Sequence, residues 1–277
     1  MFSKKQLKIP ALILALLTIV SLFSACGKKQ EEEVQPPEEV VEPVPAPDDN
    51  EEDTPQGDVT VKNLSKGVNL TASDGNVILV ATAVVPEIES EEYASAAAII
   101  NSYYEEQIEK HMEYADTELY DYAIYNYTNY PADFTPLRTE QFFDVKYNGN
   151  GYLSIVRYIV DSVGDQTSNT AVTTETFELS SGGLVTGSYA FTDEQQVKEL
   201  VTKRVKTDIE AEIKAGVRNY YANWESAVSD GFDIDHFFLT EDGVVFYYDL
   251  YILADAAEGM PTFVVPYDEM GDCFKLW

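Results

Sequence analysis

LTEDGVVFYYDLYILADAAEGMPTFVVPYDEM, Leu239 to Met270, settles how this chain ends. Glu241-Asp242-Gly243 is a turn between alternating runs, so His236–Leu239 and Val244–Leu253 are expected as strands. Glu258-Gly259-Met260-Pro261 breaks the pattern, and Thr262–Pro266 follows as the last strand. The tyrosines of this stretch suit half-buried sheet positions, with ring inside and hydroxyl in water. Upstream, Thr192 caps a long helix with Asp193 and Glu194 in its first turn. Val197, Val201, Val205, Ile209, Ile213, Val217, Tyr220 and Trp224 mark its buried face, and Gly231 lies beyond its end. Strands and helices therefore come in blocks, without βαβα alternation. The fold class is α+β, with antiparallel sheets each packed against a long amphipathic helix.

The first half repeats this logic. Val68–Ala72 and Val77–Val85 flank Ser73-Asp-Gly-Asn76 as a hairpin, and Pro86 is expected to end the second strand. Ser90, Glu91 and Glu92 open a helix whose apolar face runs from Tyr93 through Ile100, Ile108 and Ala115 to Leu119. The run Tyr120–Tyr130 has tyrosines at alternating spacings of two and three, which fit neither strand nor helix. Its rings serve either as packing at a helix–sheet junction or, through Tyr122, Tyr125 and Tyr127, as a stacking platform for sugars. Phe142–Tyr147 and Tyr152–Asp161 flank Asn148-Gly-Asn-Gly151, and Ala171–Leu179 and Leu184–Phe191 flank Ser180-Ser-Gly-Gly183. Both are hairpin patterns.

The N-terminus has a different composition. Lys4, Lys5 and Lys8 precede the apolar run Ile9–Phe23, and Ser24-Ala25-Cys26-Gly27 follows. A basic start, a short apolar run and small residues before a cut describe an export signal over residues 1–25. The Cys after two small residues resembles the bacterial lipobox, with Phe23 where Leu is usual. Cys26 is thus the expected site of acylation, holding the protein on the outer face of the cytoplasmic membrane. Only Cys273 then remains, which leaves no intrachain disulfide. Residues 26–57 are acidic, Pro-rich and without aromatics, the composition of a disordered tether. Two folded parts are expected beyond it, 58–137 and 138–277. With 49 acidic against 18 basic residues, the chain carries a net −31. No basic stripe exists to neutralise phosphates, so nucleic acid is excluded as a partner. A basic partner would be attracted.

Taken in order, YNGNGYLSIVRYIVD, TETFELSSGGLV, the helix opened by TDEQQVKELV, Gly231-Phe232 and the closing stretch resemble a known domain. It is the extracellular domain of RsiV-type anti-sigma factors. The same domain occurs beside the catalytic module of PdaC-type peptidoglycan deacetylases and in lipoproteins of unknown function. Val68–Tyr130 resembles the smaller domain that accompanies it. The resemblance implies recognition of a protein such as lysozyme, or of peptidoglycan. Two departures stand out. Tyr251 and Gly259 occupy places comparable to a Tyr-x-x-x-Pro-x-x-x-Gly pattern whose Pro is missing here. The family's Gly-Gly-Ala-His-like turn is replaced by Ser162-Val-Gly-Asp-Gln-Thr-Ser-Asn169, in which Gly164 survives and the His does not. Ser162, Gly164, Asp165, Gln166 and Asn169 are therefore candidate partner-contacting residues. With an export signal at residue one, the cytoplasmic half of an anti-sigma factor is expected to be absent.

No catalytic pattern accompanies these features. The chain has two His, His111 and His236. It has no His-Glu-x-x-His, no deacetylase-type His-x-x-x-His, and no Gly-x-Ser-x-Gly. Asp233, Asp235, Glu241 and Asp242 lack EF-hand spacing. Neither metal nor cofactor is expected. The function indicated is a non-enzymatic envelope binding protein for a basic protein. A glycan-binding module is the alternative, and a hydrolase with an unrecognised site comes last.

Overall fold

The computed structural model describes residues 57–164 and 166–277. The signal over 1–25, Cys26, the tether up to Gln56, and Asp165 lie outside the described residues. No helix among the described residues is long and apolar enough to cross a membrane.

Among the described residues, two sheets and two long helices make up the fold. The larger sheet has six strands in the order β1 (Thr60–Thr71), β2 (Val77–Glu89), β3 (Leu137–Gly149), β4 (Tyr152–Val163), β5 (Gln166–Glu178) and β6 (Gly183–Leu184). The smaller has β7 (Phe237–Leu239), β8 (Gly243–Tyr247) and β9 (Thr262–Pro266). All neighbouring strands are antiparallel except β2 and β3, which pair in parallel from Leu79–Leu137 to Ala83–Gln141. A parallel pair needs a long crossover. Helix α1 (Ala94–Tyr114), a π-helical turn (Ala115–Leu119) and helix α2 (Tyr120–Asn129) supply it.

The sheet alternation puts different residues on its two faces. Leu153, Ile155 and Phe177 join Ile78, Leu79, Ile100, Tyr104 and Ile108 in a core under α1 and α2. Val156, on the opposite face, meets Phe238, Val245 and Tyr247 of the smaller sheet. That sheet turns Phe237, Leu239, Val244 and Phe246 the other way, against Val197, Val201, Val205 and Ile209 of α4 (Glu194–Ala215). The order of layers is thus helix, sheet, sheet, helix. Ser154 Oγ stitches the two sheets by accepting the Leu239 backbone N–H at 3.0 Å. The boundary expected at 137/138 falls at the first residues of β3, and the larger sheet and its core run across it.

Several elements differ from the sequence expectation. β2 runs through Pro86 to Glu89. Pro86 lies beyond Ala83, the last residue of β2 paired with β3, so its missing N–H costs no bond on that side. The first helix does not stop at Leu119 but continues into the Tyr-rich run. Ala115 and Ala123 are both buried, yet eight residues of regular helix would turn them about 80° apart. The wider π turn between them takes back most of that angle, so both face the sheet. The expected strand Leu184–Phe191 shrinks to the two residues of β6 and the short helix α3 (Gly187–Ala190), capped by Thr186. Helix α4 is capped by the Asp193 carboxylate rather than Thr192. It ends at Ala215 because Gly216 takes a left-handed φ of 67°. Trp224 belongs to a separate helix, α5 (Trp224–Asp230). β8 ends at Tyr247, well short of Leu253. Gly259 does make the break before β9, with φ 77°.

Candidate functional site

The residues singled out by sequence gather at one end of the larger sheet. The β1–β2 turn, the start of β3 and the β4–β5 turn all lie there, because Thr71 pairs with Val77, Leu79 with Leu137, and Leu137 with Val163. Ser162 is the penultimate residue of β4, Gly164 turns with φ 58°, and Gln166 to Asn169 open β5. The stretch expected as a turn is mostly strand, with a tight hairpin tip at Gly164. Its polar residues are strand residues at an exposed edge, which no apolar alternation could reveal. A Cβ on Gly164 would sit 3.5 Å from Thr135 Cγ2, so the tip rests on the segment that follows α2.

Helix α2 brings the tyrosines to the same end. Tyr120, Ala123, Ile124 and Tyr127 turn towards the core. Tyr127 packs edge-on against Phe134 at 5.0 Å and donates to Asp74 at 2.6 Å. That hydrogen bond leads the causes that hold the Asp74 carboxyl below its ordinary value. Tyr127 is thus a packing residue. Tyr122 and Tyr125 face solvent, at 41% and 58% exposure, with Tyr130 beside Tyr125. The amides of Asn126 and Asn129 donate to the backbone oxygens of Tyr122 and Tyr125. Tyr122, Tyr125, Asn126 and Asn129 share one helical face. N-terminal to them, Glu105, Glu106, Glu109, Glu113, Asp116, Glu118 and Asp121 are all exposed. The cations paired with these acids are Lys66 on Glu109 and Lys110 on Glu106. An acidic helical ridge thus leads to a tyrosine–asparagine face.

A buried polar seam under α1 escaped the sequence. Arg157 donates to Glu175 through Nε at 3.0 Å and an Nη at 2.6 Å, and both side chains are buried. Tyr103 and Tyr104 donate their hydroxyls to the same carboxylate. Burial and the Glu175 charge push the Tyr103 hydroxyl up to about 12. Asp161 accepts from Tyr114, Thr139 and Asn169 at 2.9, 2.7 and 3.2 Å. The seam therefore ends on Asn169, at the hairpin tip. Between the two carboxylates lie His111, 2% exposed, and Gln141, 1% exposed, with no hydrogen-bond partner on either side chain.

His111 makes stability depend on pH. Burial lowers its pKa, while the backbone of Thr139 and Thr82 and the Asp161 charge oppose this less strongly. The fold thus favours the neutral ring. Its contribution is full above the unfolded value near 6.5 and is lost as pH falls through the depressed folded value. Melting from pH 7.5 to pH 5 should show a decline that His111→Leu flattens by at least about 2 °C. Parallel curves for the two proteins would refute this.

His236 stacks on Tyr247 at 4.7 Å, with Asp233 at 3.9 Å. Among the described residues, no three His, Cys, Asp or Glu side chains come together as metal ligands. Cys273 lies 3.9 Å from Gln196 Oε1. What the site end offers is a surface of acids, aromatic rings and amides.

The second helix–sheet pair has known relatives. Residues 191–268 match a family described as a protein of unknown function, DUF3298. The match takes in α4, α5 and all three strands of the smaller sheet. A crystal structure of a DUF3298 family member from Bacteroides fragilis NCTC 9343 is similar with a TM-score of 0.55 and 16% identity. The similarity covers 79% of this chain and 96% of that one. A DUF3298 family protein from Pseudomonas aeruginosa PAO1 gives 0.49 and 11%, covering 80% and 96%. The Bacteroides likeness, at its low identity, is a likeness of fold. No curated protein matches the chain.

Proposed function

We propose that this chain is a non-enzymatic binding protein, lipid-anchored through Cys26 on the outer face of the bacterial cytoplasmic membrane, that captures a basic protein such as lysozyme. The observation that carries this is the outward face of α1 and α2, where exposed acids run into exposed Tyr122 and Tyr125. Acids at such a surface raise the encounter rate of a cationic partner, and exposed tyrosines supply contact area with little entropy to lose. The RsiV-type resemblance of the second half and the PdaC-type resemblance of the first support the same reading. So does the net charge of −31.

Titration calorimetry of residues 27–277 with lysozyme tests it. Saturable binding is expected, weakening as salt rises from about 50 to 300 mM because the steering charges are screened. Tyr122→Ala/Tyr125→Ala should weaken it about tenfold or more, as truncated aromatic anchors do. Binding that the double variant leaves unchanged would end the assignment to this face. The tyrosine–asparagine arrangement also favours a second reading, a glycan stacked on the rings and held by amides. In that case peptidoglycan retention would be insensitive to salt and lost in Tyr122→Ala/Tyr125→Ala.

A further inference from the structure

The two edges of the larger sheet differ in character. β1 carries Lys62 and Lys66 and a bulge between Leu70 and Thr71, devices that discourage another strand from adding. β5 has none of these over Asn169–Thr174. β6 covers only Phe177 and Glu178 at its far end. At the near end the register slips, with Asp161 opposite Asn169 and Ser162 opposite Thr167, so Ser168 bulges out and marks the limit of the regular edge. Between these limits the strand reads Asn-Thr-Ala-Val-Thr-Thr, with no charge and no Pro, in a chain of net charge −31. Ala171 and Thr173 are exposed on one face, and Val172 is only half-buried on the other.

An apolar row leads to this edge. Phe142 pairs with Tyr158, and Tyr158 with Val172, so the three stand side by side across β3, β4 and β5 on the face away from α1. The two rings stack at 5.0 Å with 17° between planes, and Phe142 is 41% exposed. The row ends at the sheet edge at Val172, which, with Tyr158, packs in part against Val156, Phe238, Val245 and Tyr247.

We propose that the chain forms a two-fold dimer by antiparallel pairing of β5 with β5 of a second copy, centred on Val172. In this register Val172 meets Val172, Ala171 meets Thr173 and Thr170 meets Thr174 of the second copy. These are β-branched and small cross-strand pairs of the kind that stabilise sheets. The contact is isologous, so it closes at two copies. The row Phe142–Tyr158–Val172 then continues into the same row of the second copy, and the half-buried Tyr158 rings flank a shared apolar seam. The segment's complementarity to itself favours this occupant, and charge permits it. Two copies repel wherever acids meet, and the uncharged β5 edge lets them approach. A basic partner would find no exposed acid on this strand.

Sedimentation of the full chain in density-matched detergent tests the dimer. A concentration-dependent dimer is expected, strengthening with ionic strength as the like net charges are screened. Val172→Lys sets two ammonium groups face to face and should raise the dimer dissociation constant about tenfold or more. In a Cys26→Ser/Cys273→Ser background, Val172→Cys should cross-link on mild oxidation, while Tyr189→Cys, exposed but away from the edge, should not. The cross-link needs no altered stability, so it decides the matter even if the Lys variant folds poorly. A monomer at all concentrations, a dimer that Val172→Lys leaves intact, or equal cross-linking at both cysteines would each overturn the proposal.

Discussion

Replacing Arg157 by Met should lower the unfolding free energy by about 3–5 kcal/mol, because it leaves a buried charge without its partner. Glu175 is 2% exposed and takes two guanidinium hydrogen bonds at 2.6 and 3.0 Å. The Tyr103 and Tyr104 hydroxyls remain, but neutral donors do not replace a cation. Burial is the strongest single influence and works to discharge Arg157, but the Glu175 charge, its hydrogen bonds and the neighbouring Tyr103 and Tyr104 together outweigh it, holding the guanidinium pKa above its ordinary value. Arg157→Met/Glu175→Leu should recover part of the loss, since the pair itself contributes little net stability once both members are gone. Chemical denaturation of wild type, single and double variants measures this. A single-variant loss below about 1 kcal/mol would mean that water reaches Glu175 and the seam is not dry.

Phe246→Ala should cost a similar amount, about 3–5 kcal/mol, through the cavity it opens in the other core. Phe246 is 1% exposed and sits among Phe191, Phe232 and Phe237, with ring centroids at 5.6, 5.9 and 6.4 Å. No neighbouring side chain is free to fill the gap, because each of these rings is held from a different element. The two sheets share Ser154–Leu239 and the contact of Val156 with Phe238 and Val245, so the loss should be felt throughout. Trp224 packs against this same core. Trp277 sits on Tyr267 and Phe274 beside it, so tryptophan fluorescence and the far-ultraviolet circular dichroism should move to a lower midpoint together. Separate midpoints would show that the two cores unfold independently.

The framework was legible where pattern and position coincide. Asn150-Gly151 turns with both φ angles positive, as its dipeptide predicts, and β3 and β4 pair on either side. Val197 to Ile209 line the buried face of α4 as their spacing indicates. Legibility failed where polar residues do structural work. Tyr120–Tyr130 looked irregular because tyrosines occupy both faces of α2, and only Tyr120 and Tyr127 pack inward. The start of β5 looked like a loop because an edge strand with Thr and Asn on both faces has no apolar alternation. Val217, Tyr220 and Trp224 extended the helical spacing past Gly216, although the glycine was the better stop signal. The seam could not be found from sequence. Tyr104 and Glu175 are far apart in the chain, and nothing in either neighbourhood marks them as partners.

The crossover from β2 to β3 has a consequence for the order of events as the chain is made. The core under α1 is closed by Leu153, Ile155, Phe177 and Leu179, all well downstream of the helix they cover. Until β4 and β5 have emerged, α1 has only β2 to pack on, and its core stays open on the side that these later residues close, a burial gained only after a long loop has closed. A chain proposed to leave the cell through a narrow translocase gains from this delay. It stays threadable for most of its synthesis and folds only once the distant strand that completes it has arrived on the far side.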